Sequence, residues 1–166
     1  IEYESIAALL TSPPYLSRYD YVQTNDPIET VFRYWHDSEG PAPRKLQVRA
    51  SPRGRKQAKA VLDLHPAARE AYEVLTAAIQ PRHAAAVANY FSDMQAVLNS
   101  VHRVLLPNAP AWLIIGGVRL KNVYVPADLI VVEMAQQTGY LVEALRVARE
   151  LNPVRRKFGS IGHLAP

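Results

Sequence analysis

Ile6-Ala7-Ala8-Leu9-Leu10-Thr11-Ser12-Pro13-Pro14-Tyr15 is the stretch on which the fold turns. Five apolar residues run without a polar break and stop at Thr11-Ser12 and two prolines. Continuous apolarity over so short a length suits a strand covered on both faces, as in a parallel sheet. Proline has no N–H to give to a ladder, so Pro13-Pro14 ends the strand and stiffens the chain beyond it. A buried strand over 6–11, running into a rigid loop, is therefore expected.

Ala111-Trp112-Leu113-Ile114-Ile115 repeats the apolar pattern, and Gly116-Gly117 ends it. Between the two stretches the period changes. Over 66–80, Ala67, Ala71, Val74, Leu75 and Ala78 fall on one helical face, and Pro81 breaks it. Over 83–105, Val87, Tyr90, Phe91, Met94, Val97, Leu98, Val101 and Leu105 recur at helical spacing. Tyr90, Phe91 and Met94 read as core rather than as a ligand box. Pro107-Asn108-Ala109-Pro110 is a turn. Pro126 opens a helix over 127–138, and Gly139 closes it. Asp26 and Pro27 begin a short helix reaching about His36. Residues 141–150 fit strand and helix equally well. Strands alternating with helices are the order of an α/β fold. In open sheets of that class, ligands bind beyond the carboxyl ends of the strands. Residues 12–15 and Gly116-Gly117 both fall there.

Composition narrows the chemistry. The chain has 166 residues, enough for one domain with a core, and no cysteine. Disulfides, zinc–cysteine sites and thiol catalysis are thereby excluded. His36, His65, His83, His102 and His163 show no metal-ligand spacing, and no metal is expected. No apolar run approaches the roughly 20 residues that cross a bilayer. No basic start precedes an apolar segment, so a cytoplasmic protein is expected. Net charge is +4, unevenly placed. Residues 1–37 are net acidic, whereas 38–70 hold eight basic and three acidic residues. A Pro-, Gly- and base-rich insertion spans about 38–60, with Arg53, Arg55 and Lys56 at its focus. Such a cluster attracts a phosphate backbone by charge and counterion release.

Thr11-Ser12-Pro13-Pro14-Tyr15 after an apolar strand resembles the catalytic motif of amino-methylating DNA methyltransferases, and its Ser form resembles the cytosine-N4 branch. Leu16-Ser17-Arg18-Tyr19-Asp20-Tyr21 resembles the stretch beyond the motif there. Tyr90-Phe91 with Asp93-Met94, and Arg103-Val104-Leu105-Leu106-Pro107, look like the helix and turn before the fifth strand of that family. Val125-Pro126 with Asp128-Leu129, then Glu133-Met134-Ala135 and Gly139-Tyr140, look like the helix after it. Residues 159–166 are similar to the segment before the last strand. The resemblance covers most of the chain except the basic insertion. One departure stands out: Val118 occupies a position where the family often has a polar residue after glycine, which weighs against a polar role for Gly117 or Val118.

The resemblance implies a Rossmann-like sheet with helices on both faces. It implies S-adenosylmethionine as cofactor, bordered by Thr11 and Ser12, and duplex DNA with a flipped base as substrate. A cognate restriction endonuclease is a further partner it allows. Ser12, Pro13, Pro14 and Tyr15 would be catalytic, and Arg53, Arg55 and Lys56 would hold phosphates. The family's glycine-rich cofactor turn, and the acidic residue after it, do not occur in this sequence. We therefore expect residues 1–166 to be the catalytic-side, carboxyl-terminal part of such an enzyme, with an incomplete sheet and little or no cofactor binding of its own. Methylation of adenine N6, or an inactive DNA-binding remnant, are the alternatives.

Overall fold

The computed structural model describes residues 2–16, 48, 65–78 and 81–148. Their elements are β1 (Leu9–Thr11), α1 (Pro66–Ala77), α2 (Pro81–Val104), β2 (Ala111–Leu113), β3 (Val118–Leu120), β4 (Val123–Val125) and α3 (Ala127–Thr138). β1 and β2 pair in parallel, and β3 and β4 pair antiparallel. The chain is thus a small α/β protein. None of the described helices is long and apolar enough to cross a membrane. The expected helix over 27–36 and the basic insertion (Val48 apart) lie outside the described residues.

α2 is the spine. Tyr90, Phe91 and Met94 are buried on it, with the Tyr90 and Phe91 rings edge to face at 5.1 Å. The triplet is core, as its spacing predicts. Ala84, Ala86 and Ala88 are buried on α2 as well, and their small side chains let neighbouring elements come close. α1 contributes Ala68 and Leu75, and α3 contributes Ala127, Ile130, Val131 and Met134. The α1 start is dictated by sequence: Pro66 takes the first turn, where a missing N–H costs nothing. His65 Nδ1 accepts from the Ala67 N–H at 3.3 Å, and its Nε2 lies 3.7 Å from a Glu133 carboxylate oxygen on α3.

The first strand is shorter than its apolar run. Ile6 leaves the ladder and bridges Leu105. The Glu4 N–H donates to the Arg103 carbonyl, and the Ser5 and Ile6 N–H groups both donate to the Val104 carbonyl. The last carbonyls of a helix have no partners within it. Residues 4–6 supply partners for those of α2 and so fix where β1 begins. The link into β2 is a turn with Pro107 and then Asn108 at φ 62°, closed by the Ala109 N–H on the Leu106 carbonyl. Proline followed by a left-handed Asn is the demand of a type II turn.

One face of the β1–β2 pair looks inward, where Leu113 and Ile115 pack against the core. Leu10, Trp112 and Ile114 are exposed on the other face, Leu10 at 73%. Among the described residues, then, the apolar run is covered on one side only. Of residues 141–150, whose composition suits strand and helix alike, 141–148 form neither, and 149–150 lie outside the described residues.

The end of α3 matches the glycine signal. Gly139 sits at φ 111°, the Tyr140 N–H reaches the Ala135 carbonyl, and the Gly139 N–H reaches that of Gln136. This is the paired closure of a Schellman end, which favours glycine. The Tyr140 hydroxyl donates to the Leu98 carbonyl at 2.9 Å, and its ring meets His102 edge-on. Burial pushes the Tyr140 phenol up to about 12, so it stays a neutral donor. A Cβ at position 139 would stand 3.2 Å from His102 Nε2. Gly139→Ala should therefore cost about 1–2 kcal/mol, the order of penalty a Cβ meets in the left-handed region. Urea unfolding measures this, and an unshifted midpoint would contradict the account.

Candidate active site

The site is built from the carboxyl ends of two parallel strands. Leu9 pairs with Ala111, Leu10 with Trp112 and Thr11 with Leu113. The Ile114 N–H then donates to the Thr11 carbonyl at 2.9 Å, which carries the pairing one step past the ladder. The chain leaves β1 as Ser12-Pro13-Pro14-Tyr15 and leaves β2 as Ile114-Ile115-Gly116-Gly117. Both exits emerge at one edge.

Burial splits the motif by role. Pro13 is buried, and Leu16 is 1% exposed in the core. These two residues anchor the loop from below. Ser12, just ahead of them, is exposed, while Pro14 and Tyr15 between them are half-buried. The prolines fix φ and bring no N–H of their own. The Ser12 hydroxyl is therefore presented to solvent on a stiff support. The Ser12 and Tyr15 hydroxyl oxygens lie 3.1 Å apart, within hydrogen-bond distance. The edge thus offers a hydroxyl acceptor, an aromatic ring and a backbone with few competing donors.

The β2 side adds a residue that sequence reading did not single out. Tyr124 on β4 lays its ring and hydroxyl against Gly117, where any Cβ would overlap them. Gly117 is thus a close-approach glycine, consistent with the weak case for a polar role at this position. Gly116 has open space where a Cβ would stand. Tyr124 is more than half exposed and pairs across the β3–β4 hairpin with Arg119, also exposed. The signal for this hairpin was present: Val118, Leu120, Val123 and Val125 alternate with polar or aromatic neighbours around Lys121-Asn122, the period of a half-buried strand pair.

The structure brings Ser12, Pro13, Pro14 and Tyr15 together and places Thr11 at the end of β1, half-buried, its carbonyl engaged. Arg53, Arg55, Lys56 and Asp20 lie outside the described residues. Among the described residues, no group of three or more His, Asp or Glu side chains could hold a metal ion. Set against known proteins, the chain matches no family model, no curated protein and no solved structure.

Proposed function

We propose that this chain is the catalytic-side part of an S-adenosylmethionine-dependent DNA methyltransferase acting on the N4 amine of cytosine, built on a Rossmann-like sheet. The observation that carries the reading is Ser12-Pro13-Pro14-Tyr15, set at the carboxyl edge of a parallel strand pair with Ser12 exposed beside a buried Pro13. That edge is where open α/β sheets bind their ligands.

The chemistry of the acceptor explains why these residue types belong there. A cytosine amine is a poor nucleophile, because its lone pair is delocalised into the ring. Accepting its N–H hydrogen bonds favours a tetrahedral nitrogen with a localised lone pair. Ser12 Oγ, exposed at the edge, would accept one of them, and a neighbouring backbone carbonyl would accept another. Tyr15 would stack on the base once it has left the duplex. Holding the nitrogen in line lowers the barrier without a covalent enzyme intermediate, in keeping with a chain that has no cysteine.

The residues present fit the acceptor side of a cofactor site. Thr11 and Ser12 border an open edge, and Gly116 leaves space beside it. The cofactor would supply a sulfonium methyl group to the amine nitrogen, and Ser12 and Tyr15 would hold the base facing it. The groups that would hold its ribose are not among the described residues.

The test uses the full-length protein with S-adenosylmethionine and unmethylated DNA, followed by digestion and mass spectrometry of the nucleosides. N4-methylcytosine supports the reading. N6-methyladenine would move it to the adenine branch, and no methylated base from a folded, cofactor-binding protein would leave a DNA-binding remnant. The basic insertion has its own expected outcome. Neutralising Arg53, Arg55 and Lys56 together should weaken DNA binding at low salt. It should also flatten the plot of log affinity against log salt by about 0.9 for each phosphate that is no longer neutralised. An unchanged slope would remove these residues from the interface.

A further inference from the structure

We infer that Tyr15 acts through its hydroxyl as well as its ring, as a positioning residue that orients the Ser12 hydroxyl to accept from the target amine. The inference rests on the methyltransferase reading. The observation is the 3.1 Å separation between Ser12 Oγ and Tyr15 Oη.

A serine hydroxyl carries one donor and two acceptor sites, and its hydrogen rotates to suit its surroundings. The amine of a base presents N–H groups to whatever faces it. A Ser12 hydrogen pointing the same way would set donor against donor. If Ser12 donates to Tyr15 Oη instead, its hydrogen is withdrawn from the open edge and its lone pairs are left facing it. The amine N–H, Ser12 and Tyr15 then form one chain of hydrogen bonds running the same way. Each bond in such a chain polarises the next, so donating onward makes Ser12 Oγ a better acceptor. Backbone geometry supports the arrangement. Pro13 and Pro14 separate the two residues by a rigid span, and Pro13 is buried, so the pair is held across the loop rather than met by chance rotation.

Tyr15 thus has two separable contributions. The ring offers a face for the base and belongs to binding. The hydroxyl acts on the nitrogen only through Ser12 and belongs to the methyl-transfer step.

A double-mutant cycle in the full-length protein separates them. The native protein, Tyr15→Phe, Ser12→Ala and the double variant are compared for kcat and for KM toward DNA. Tyr15→Phe should lower kcat roughly five- to tenfold, the scale of one net hydrogen bond, with KM toward DNA unchanged because the ring remains. In the Ser12→Ala background the same substitution should have no effect, since nothing is left to orient. That non-additivity is what a merely structural role would not produce. A Tyr15→Phe protein with native kcat, a loss confined to KM, or equal losses in both backgrounds would each overturn the inference while leaving the methyltransferase reading intact. Native-like methylation by Ser12→Ala would overturn the inference and the role given to Ser12 while leaving the methyltransferase reading intact, and no amine methylation by the native protein would overturn both.

Discussion

Tyr15→Ala should reduce kcat/KM for cytosine methylation by at least about fivefold and up to several hundredfold. The lower bound comes from stacking alone: a base on an aromatic ring is worth about 1–3 kcal/mol, or roughly five- to more than a hundredfold in affinity. Loss of the hydroxyl opposite Ser12 adds to it. The two losses divide between parameters, the ring chiefly in KM and the hydroxyl in kcat. Tyr15 is half-buried at an exposed edge rather than in the core, so the fold should survive, and circular dichroism with a melting curve checks this. The decisive readout is methylated nucleoside per unit time at saturating and limiting DNA. A Tyr15→Ala protein that methylates at the native rate would remove the motif from the reaction.

Phe91→Ala should have the largest effect on stability. Phe91 is 1% exposed in the middle of α2, edge-on to Tyr90 and surrounded by the core cluster that also takes in α1 and α3. Truncating such a ring removes its transfer energy and leaves a cavity, together about 3–5 kcal/mol. Small domains hold only about 5–15 kcal/mol in all, so the variant should unfold at much lower urea or fail to accumulate folded. A midpoint close to native would mean that α2 is not the spine of the core. The contrast with Tyr15→Ala is informative: that substitution should slow the proposed reaction and spare the fold, whereas Phe91→Ala should remove the fold itself.

Several elements were legible in the sequence for physical reasons. α2 carries an apolar residue every three or four positions and a proline at its start, and α3 is bounded by Pro126 and Gly139, so both helices stand close to where the pattern puts them. The parallel pair was legible from two apolar runs, but their lengths were not. Apolarity cannot show that Ser5 and Ile6 are engaged with the Val104 carbonyl, because capping a helix end is a tertiary event. The β3–β4 hairpin escapes a reading by turn residues because its turn, Lys121-Asn122, carries no glycine although Lys121 adopts φ 56°. Residues 141–150 are apolar enough to read as an element, yet among the described ones Leu141, Leu145 and Val147 are exposed. Within the site, Ser12 to Tyr15 stood out through a resemblance, at the end of an apolar strand. The split into buried Pro13 and exposed Ser12, and the approach of Tyr124 to Gly117, needed the fold.

The two strands that frame the candidate site are about one hundred positions apart in the chain, and the entropy of closing a loop of that size must be met before their pairing returns anything. α1 and α2 pack as near neighbours in sequence, and interactions of that kind form early. Assembly therefore has an order. Contact order favours the helices gathering before the carbonyls at the end of α2 engage residues 4–6 and Leu9 meets Ala111. Ser12 and Tyr15 would then be set at their shared edge late in folding, so a nascent or partly unfolded chain would hold its helices before that edge exists.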